Sequence, residues 1–213
     1  MTDRFRGNNP ADGRSEAPSP APAPAPLTRT RSAPTRAELE AARDRVISDV
    51  TAPGLRVLFC GINPGLWSAA RDQHFARPGN RFWPALHRSG FVPEPLGPDR
   101  QAGLLRYGLG ITNVVARATA RADELTPGEF VSGGHLLEAK VRQLAPAWLA
   151  MVGIGAYRSA FGRPKAVMGR QDHRIGDTSV WVLPNPSGLN AHFNAATLAD
   201  AFAQLRRACE AAD

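Results

Sequence analysis

Four short apolar runs stand out along the chain, three of them closed off directly by glycine or proline. The clearest is Leu55-Arg56-Val57-Leu58-Phe59-Cys60, which stops abruptly in the turn Gly61-Ile62-Asn63-Pro64-Gly65. A short continuous apolar run between turn signals reads as a strand covered on both faces, the kind found in parallel sheets with helices on either side. Residues 109–115, 148–152 and 179–183 repeat the pattern and supply three more strands. Helical spacing appears between them. Residues 80–88 place Phe82, Leu86 and Trp83 on one side, and 100–107, 135–144 and 156–161 read as shorter helices. Residues 195–211 close the chain with Leu198, Phe202 and Leu205 on one face. Upstream, Thr35 with Glu38 three residues later forms a capping-box signature, predicting a helix to about Val50. Strands alternating with helices predict an α/β fold: a single three-layer α/β/α domain around a mainly parallel four-stranded sheet with right-handed crossovers.

The first 34 residues break this pattern. They are small, polar or proline, with Ser-Pro and Ala-Pro units between Pro18 and Pro26, and they carry too little apolar surface to offset chain entropy. The expected organisation is a disordered tail over 1–34 and one folded domain over 35–213. Residues 1–50 hold eight Arg against seven Asp and Glu, so +6 of the net +7 falls on the remainder. A basic domain suits a phosphate-backbone partner, although an arginine-rich genome gives the same bias.

Two cysteines, Cys60 and Cys209, exclude a disulfide framework or a metal quartet, and the five histidines show no ligand spacing. No metal and no cofactor is expected, and Cys60 reads as a small core residue. No run reaches membrane-spanning length and the N-terminus lacks the apolar core of a signal peptide, which predicts a cytoplasmic protein.

Open α/β sheets bind their ligands beyond the carboxyl ends of the strands. Asn63 sits at such an end, although Asn-Pro and Pro-Gly are also ordinary turn pairs. The last strand runs into Pro184-Asn185-Pro186-Ser187-Gly188-Leu189-Asn190-Ala191-His192-Phe193, where two prolines forbid regular structure and Leu189 is a large apolar residue in a polar loop. A dinucleotide site fits poorly, because Gly61 and Gly65 lack the third glycine and Pro64 removes a backbone donor.

The segments Gly61-Ile62-Asn63-Pro64-Gly65 and Asn185-Pro186-Ser187-Gly188-Leu189, with Phe75-Ala76-Arg77-Pro78-Gly79-Asn80-Arg81-Phe82-Trp83 between them, resemble the mismatch-specific uracil/thymine DNA glycosylase family of the uracil-DNA glycosylase superfamily. The likeness runs from about Leu55 to the C-terminal helix. It implies a uracil-DNA glycosylase-like fold and excision of uracil, with thymine or ethenocytosine as further substrates, opposite guanine in double-stranded DNA. Asn63 then positions the water. An extruded base stacks on Phe75, is read by groups around Ile62 and Asn185, and receives a hydrogen bond from Ser68. Gly65 leaves space for a C5 substituent. Leu189 is the wedge that fills the vacated stack, with Gly188 and Asn190 reading the guanine.

Relatives of higher activity carry Asp at the Asn63 position and His at the Asn185 position, so catalysis here is expected to be modest. Asp72 and Asp123 are substitute carboxylates or plain solvated loop residues. Trp67 and Ala191 depart from the family pattern, which has a small residue and, in the best-known bacterial relatives, an Arg. No lysine lies in either motif, which predicts hydrolysis without strand cleavage. Arg77, Arg81 and Arg170 are phosphate contacts or solvated side chains. A monomer is the default. A non-catalytic DNA-binding repair module and a general uracil glycosylase without mismatch preference are the competing readings.

Overall fold

The computed structural model describes residues 32–188 and 192–212, and the folded unit begins at Pro34. The expected tail therefore lies almost entirely outside the described residues. The strands are β1 (Val57–Gly61), β2 (Leu109–Asn113), β3 (Trp148–Val152), β4 (Gly169–Ile175) and β5 (Thr178–Leu183). They form one sheet in the order β2-β1-β3-β5-β4, parallel throughout except for the antiparallel β4/β5 pair. The helices are α1 (Arg36–Glu40), α2 (Leu66–Arg71), α3 (Phe82–Arg88), α4 (Pro127–Leu144), α5 (Ile154–Ala160) and α6 (Ala195–Glu210).

Side chains alternate across a strand, so an all-apolar strand must be covered twice. Val57 and Phe59 of β1, with Trp148, Ala150 and Val152 of β3, pack against Phe82 and Leu86 of α3 and Phe202 and Leu205 of α6. Leu58 and Cys60, with Leu149, Met151, Val180 and Val182, pack against Leu137 and Val141 of α4 and Ala156 and Tyr157 of α5. Phe59 anchors the first layer, with its ring edge-on to Phe82 and Phe91 at 5.4 and 5.5 Å and stacked on Phe202 at 5.9 Å. Cys60 is fully buried, and burial pushes its thiol pKa up, consistent with a packing residue.

The sheet has five strands, not the expected four. β4 is an edge strand whose exposed positions carry Arg170, Asp172 and Arg174, so it has no apolar run. Its signal was the two-residue Gly176-Asp177 link, with Ile175 opposite Thr178 and Gly176 at φ 59°, a hairpin turn. The helix expected to reach Val50 stops at Glu40, because Val50 instead lies antiparallel to Ile111, exchanging hydrogen bonds of 2.9 and 2.8 Å along the outer edge of β2. Residues 100–107 belong to a 3-10 segment, Pro98–Tyr107, kinked at Arg100. α3 starts at Phe82, after Asn80 Oδ1 accepts the Phe82 amide at 3.0 Å. α2 and the first two turns of α4 were not anticipated. α4 begins at Pro127 behind a Thr126/Glu129 capping box, hidden by the low helix propensity of Gly128, Gly133 and Gly134. Close packing explains two of those glycines: a Cβ on Gly133 would sit 2.4 Å from the Val114 carbonyl oxygen, and one on Gly134 would sit 2.3 Å from that of Ala160. Among the described residues no helix is long and apolar enough to cross a membrane.

Candidate active site

The carboxyl end of β1 continues as a paired edge. Val114 and Val115 donate their amides to the Gly61 and Ile62 carbonyls at 2.9 Å each, and Thr119 donates to the Pro64 carbonyl at 3.1 Å. This pairing holds Asn63 half-buried against the 117–119 segment. Its Nδ2 donates to the Arg117 carbonyl at 3.1 Å and to Thr119 Oγ1 at 2.7 Å. The Thr119 hydroxyl gives its proton to the Arg121 carbonyl at 2.7 Å, so both Asn63 partners are acceptors. Only an amide nitrogen suits that position, and the side-chain orientation is thereby fixed. Oδ1 receives no hydrogen bond from any described residue. A carboxylate here would set its lone pairs against the Arg117 carbonyl, which is a physical reason for Asn over Asp in this chain.

Arg117 is itself braced. Its guanidinium donates to both Glu129 oxygens at 2.5 and 3.1 Å, to Asp44 at 3.0 Å and to the Glu124 carbonyl at 3.1 Å. The paired Arg117 holds the Glu129 carboxyl down to about 2, against an ordinary 4.5. A depressed carboxyl pKa contributes stability above the unfolded value, and that contribution is lost as pH falls through the folded one. Glu129→Gln is therefore expected to be less stable than the parent at neutral pH, with the gap closing between pH 4.5 and about 2. Denaturant titrations at a series of pH values check this, and a gap that does not close on acidification rules the ion pair out as its source.

Phe75 lies across the cleft at φ 53°, a left-handed conformation unusual for a bulky residue. One face of its ring stacks on Phe82 at 4.0 Å with an 18° interplanar angle. The turn carrying it is tied down on every side. Ser68 Oγ accepts the Ala76 amide at 3.2 Å, Gln101 Oε1 accepts the His74 amide at 2.7 Å, and Trp83 donates to the His74 carbonyl at 3.1 Å. Ser68 is thus a buried brace for the Phe75 turn.

Sequence reasoning missed Asn113, the last residue of β2, which pairs in register with Gly61. Its Oδ1 lies 2.6 Å from where a Cβ on Gly61 would stand, with Phe75 Cζ at 3.3 Å from the same point. Its only sequence signal was a polar amide set inside the apolar run 109–115, between Thr112 and Val114. On the opposite side, Ile62 and Asn185 flank Gly153, at 3.5 and 4.0 Å from its would-be Cβ, and Asn185 Oδ1 accepts the Ser187 amide at 2.9 Å. Asn63, Ile62, Phe75, Asn113 and Asn185 are therefore gathered at the carboxyl end of the sheet. Gly65 caps α2 at φ −75°, with nothing within 4 Å of a Cβ placed on it.

Arg81 faces backbone carbonyls: its amide donates to Pro186 at 3.0 Å, and its guanidinium to Ser187 at 2.6 Å and to Phe193. Arg81 thus clamps the backbone at Pro186, Ser187 and Phe193. Gly188 lies close by, where a Cβ would be 2.7 Å from the Gly79 carbonyl oxygen. Arg77 is exposed beside a cavity of about 170 Å³ shared with Asn80 and Ser187, whereas Arg170 lies 5.4 Å over the Trp148 ring. Asp72, the C-cap of α2, accepts the Ser48 amide at 2.9 Å, and Asp123 pairs with Arg121 in the 3-10 turn Ala122–Glu124. Leu189 and Asn190 lie outside the described residues. A cavity of about 650 Å³ opens beside Arg56, Ala147 and Thr178, at the amino-terminal edge of the sheet, away from where such sheets place reacting groups.

Residues 48–206 match the family profile of the Uracil DNA glycosylase superfamily. The chain belongs to the uracil-DNA glycosylase superfamily. The solution NMR structure of a Methanosarcina acetivorans protein, provisionally described as a uracil DNA glycosylase, is similar in fold. The TM-score is 0.51 at 17% identity, covering 76% of this chain and 98% of that one. Membership in the superfamily carries the coarse assignment of a DNA glycosylase, a base-excision-repair hydrolase whose partner is DNA.

Proposed function

We propose that residues 35–213 form a monofunctional glycosylase that hydrolyses the N-glycosidic bond of uracil mispaired with guanine in double-stranded DNA, acting as a monomer in the cytoplasm. The observation that carries this reading is the locked Asn63 amide, whose nitrogen is committed to two acceptors and whose oxygen accepts no hydrogen bond from the described residues. Oδ1 accepts a hydrogen bond from water and so aims a water lone pair at the anomeric carbon. An amide is no useful base at neutral pH, so catalysis relies on placement and on stabilising the departing anion. Extrusion brings the base to the open side of Phe75, since enzymes of this type take their target out of the stack. Leu189, by resemblance, fills the gap left behind.

The empty space at Gly65 supports tolerance of a C5 methyl. Gly65→Tyr keeps an allowed backbone and is expected to cut thymine excision by roughly 10–200-fold relative to uracil, the range one methyl group can command. Comparing G·T and G·U duplexes under single-turnover conditions checks it, and an unchanged ratio counts against the position. The function itself is tested by incubating the protein with a G·U duplex and cleaving abasic sites with alkali. A DNA-binding module leaves the strand intact. Equal excision from paired, mismatched and single-stranded uracil would point to a general uracil glycosylase.

A further inference from the structure

We propose that His74 is a positioning residue that fixes the Asn113 amide with its oxygen toward the base, so that the pocket accepts an N3–H edge and rejects a cytosine edge. The inference deepens the glycosylase reading and rests on it. It begins with a backbone group: His74 Nε2 lies 3.0 Å from the Ser48 carbonyl, which can only accept, so Nε2 carries the proton. The imidazole is 2% exposed, and burial lowers its pKa, so the ring stays neutral and Nδ1 keeps a lone pair. Nδ1 stands 3.4 Å from the Asn113 amide nitrogen. An acceptor on that side selects the NH2 end of the amide and turns Oδ1 toward Gly61 and the Phe75 edge.

The consequence is chemical. Uracil and thymine carry a proton on N3, whereas cytosine carries a lone pair there. An Asn free to rotate reads both equally well. Held by a neutral Nε2–H imidazole, it offers only an acceptor. The preference is therefore set one residue behind the group that meets the base.

Two variants separate orientation from simple packing. His74→Gln can still reach the Ser48 carbonyl with its amide but leaves no acceptor at the Nδ1 position. His74→Asn retains an oxygen near Nδ1 and gives up the Ser48 contact. The readout is the ratio of single-turnover rates on duplexes carrying 5-fluorouracil or 5-fluorocytosine opposite guanine, since fluorine eases departure of either base. His74→Gln is expected to lower this ratio by about tenfold, the worth of one lost hydrogen-bond preference, and His74→Asn to hold it near the parent value. An active parent whose ratio is unmoved in His74→Gln overturns the inference alone. A parent inactive on uracil defeats the glycosylase reading and this inference together. Should His74→Gln fail to fold, 15N NMR of the parent decides: the Nε2–H tautomer supports the inference, and a proton on Nδ1 at neutral pH overturns it.

Discussion

Asn63→Ala is expected to lower single-turnover excision of uracil from a G·U duplex by at least about a hundredfold, the scale on which misplacing a reacting group acts. Binding to an uncleavable duplex should change little, because the role proposed for Asn63 is placement of water and not affinity for the phosphate backbone. The fold should survive. The variant loses the donations to the Arg117 carbonyl and the Thr119 hydroxyl, which together are worth about 1–3 kcal/mol. The half-buried site also lets water reach the stranded acceptors. The decisive comparison is rate against affinity: a variant that cleaves at the parent rate removes Asn63 from the chemistry, and one that loses binding in proportion to rate gives it a different role.

Gly133→Ala is expected to be among the most damaging single methyls in the fold. The new Cβ would stand 2.4 Å from the Val114 carbonyl oxygen and 3.1 Å from the Val114 carbonyl carbon and Cγ1, all on a chain segment with little freedom to retreat. Overpacking of this kind costs about 1–3 kcal/mol, occasionally more, and better helix propensity returns at most about 1 kcal/mol. For a domain of this size, a net loss of about 2 kcal/mol lowers Tm by roughly 4–8 °C. Activity should fall as well, because Val114 and Val115 donate to the Gly61 and Ile62 carbonyls that carry Asn63. Thermal melts and excision assays on the same preparation check both, and a Tm equal to the parent's means that α4 shifts without resistance. Serine at 133 should behave like alanine.

Much of the architecture was legible because both faces of the central strands are covered. Val57–Gly61 and Trp148–Val152 read as continuous apolar runs, and such runs have few alternatives. What escaped was structure governed by long-range contact. α4 contains three glycines, two of which owe their place to what they touch, and β4 is stabilised by pairing with β5 while its own residues form no apolar run. The site divides the same way. Asn63 and Phe75 could be picked out from local motifs, but Asn113 needed the register that sets it beside Gly61. Arg81 looked like any surface cation until the fold brought the carbonyls of Ser187 and Phe193 to it.

On the proposed function, that clamp bears on how the molecule searches DNA. One guanidinium grips the chain on both sides of residues 188–192, so the approach and exit of this loop are oriented before any nucleic acid arrives. Part of the entropy of ordering the segments at Ser187 and Phe193 is thus spent during folding and need not be spent again at every base pair tested. A protein that samples many sound pairs for each damaged one gains from that economy on each encounter.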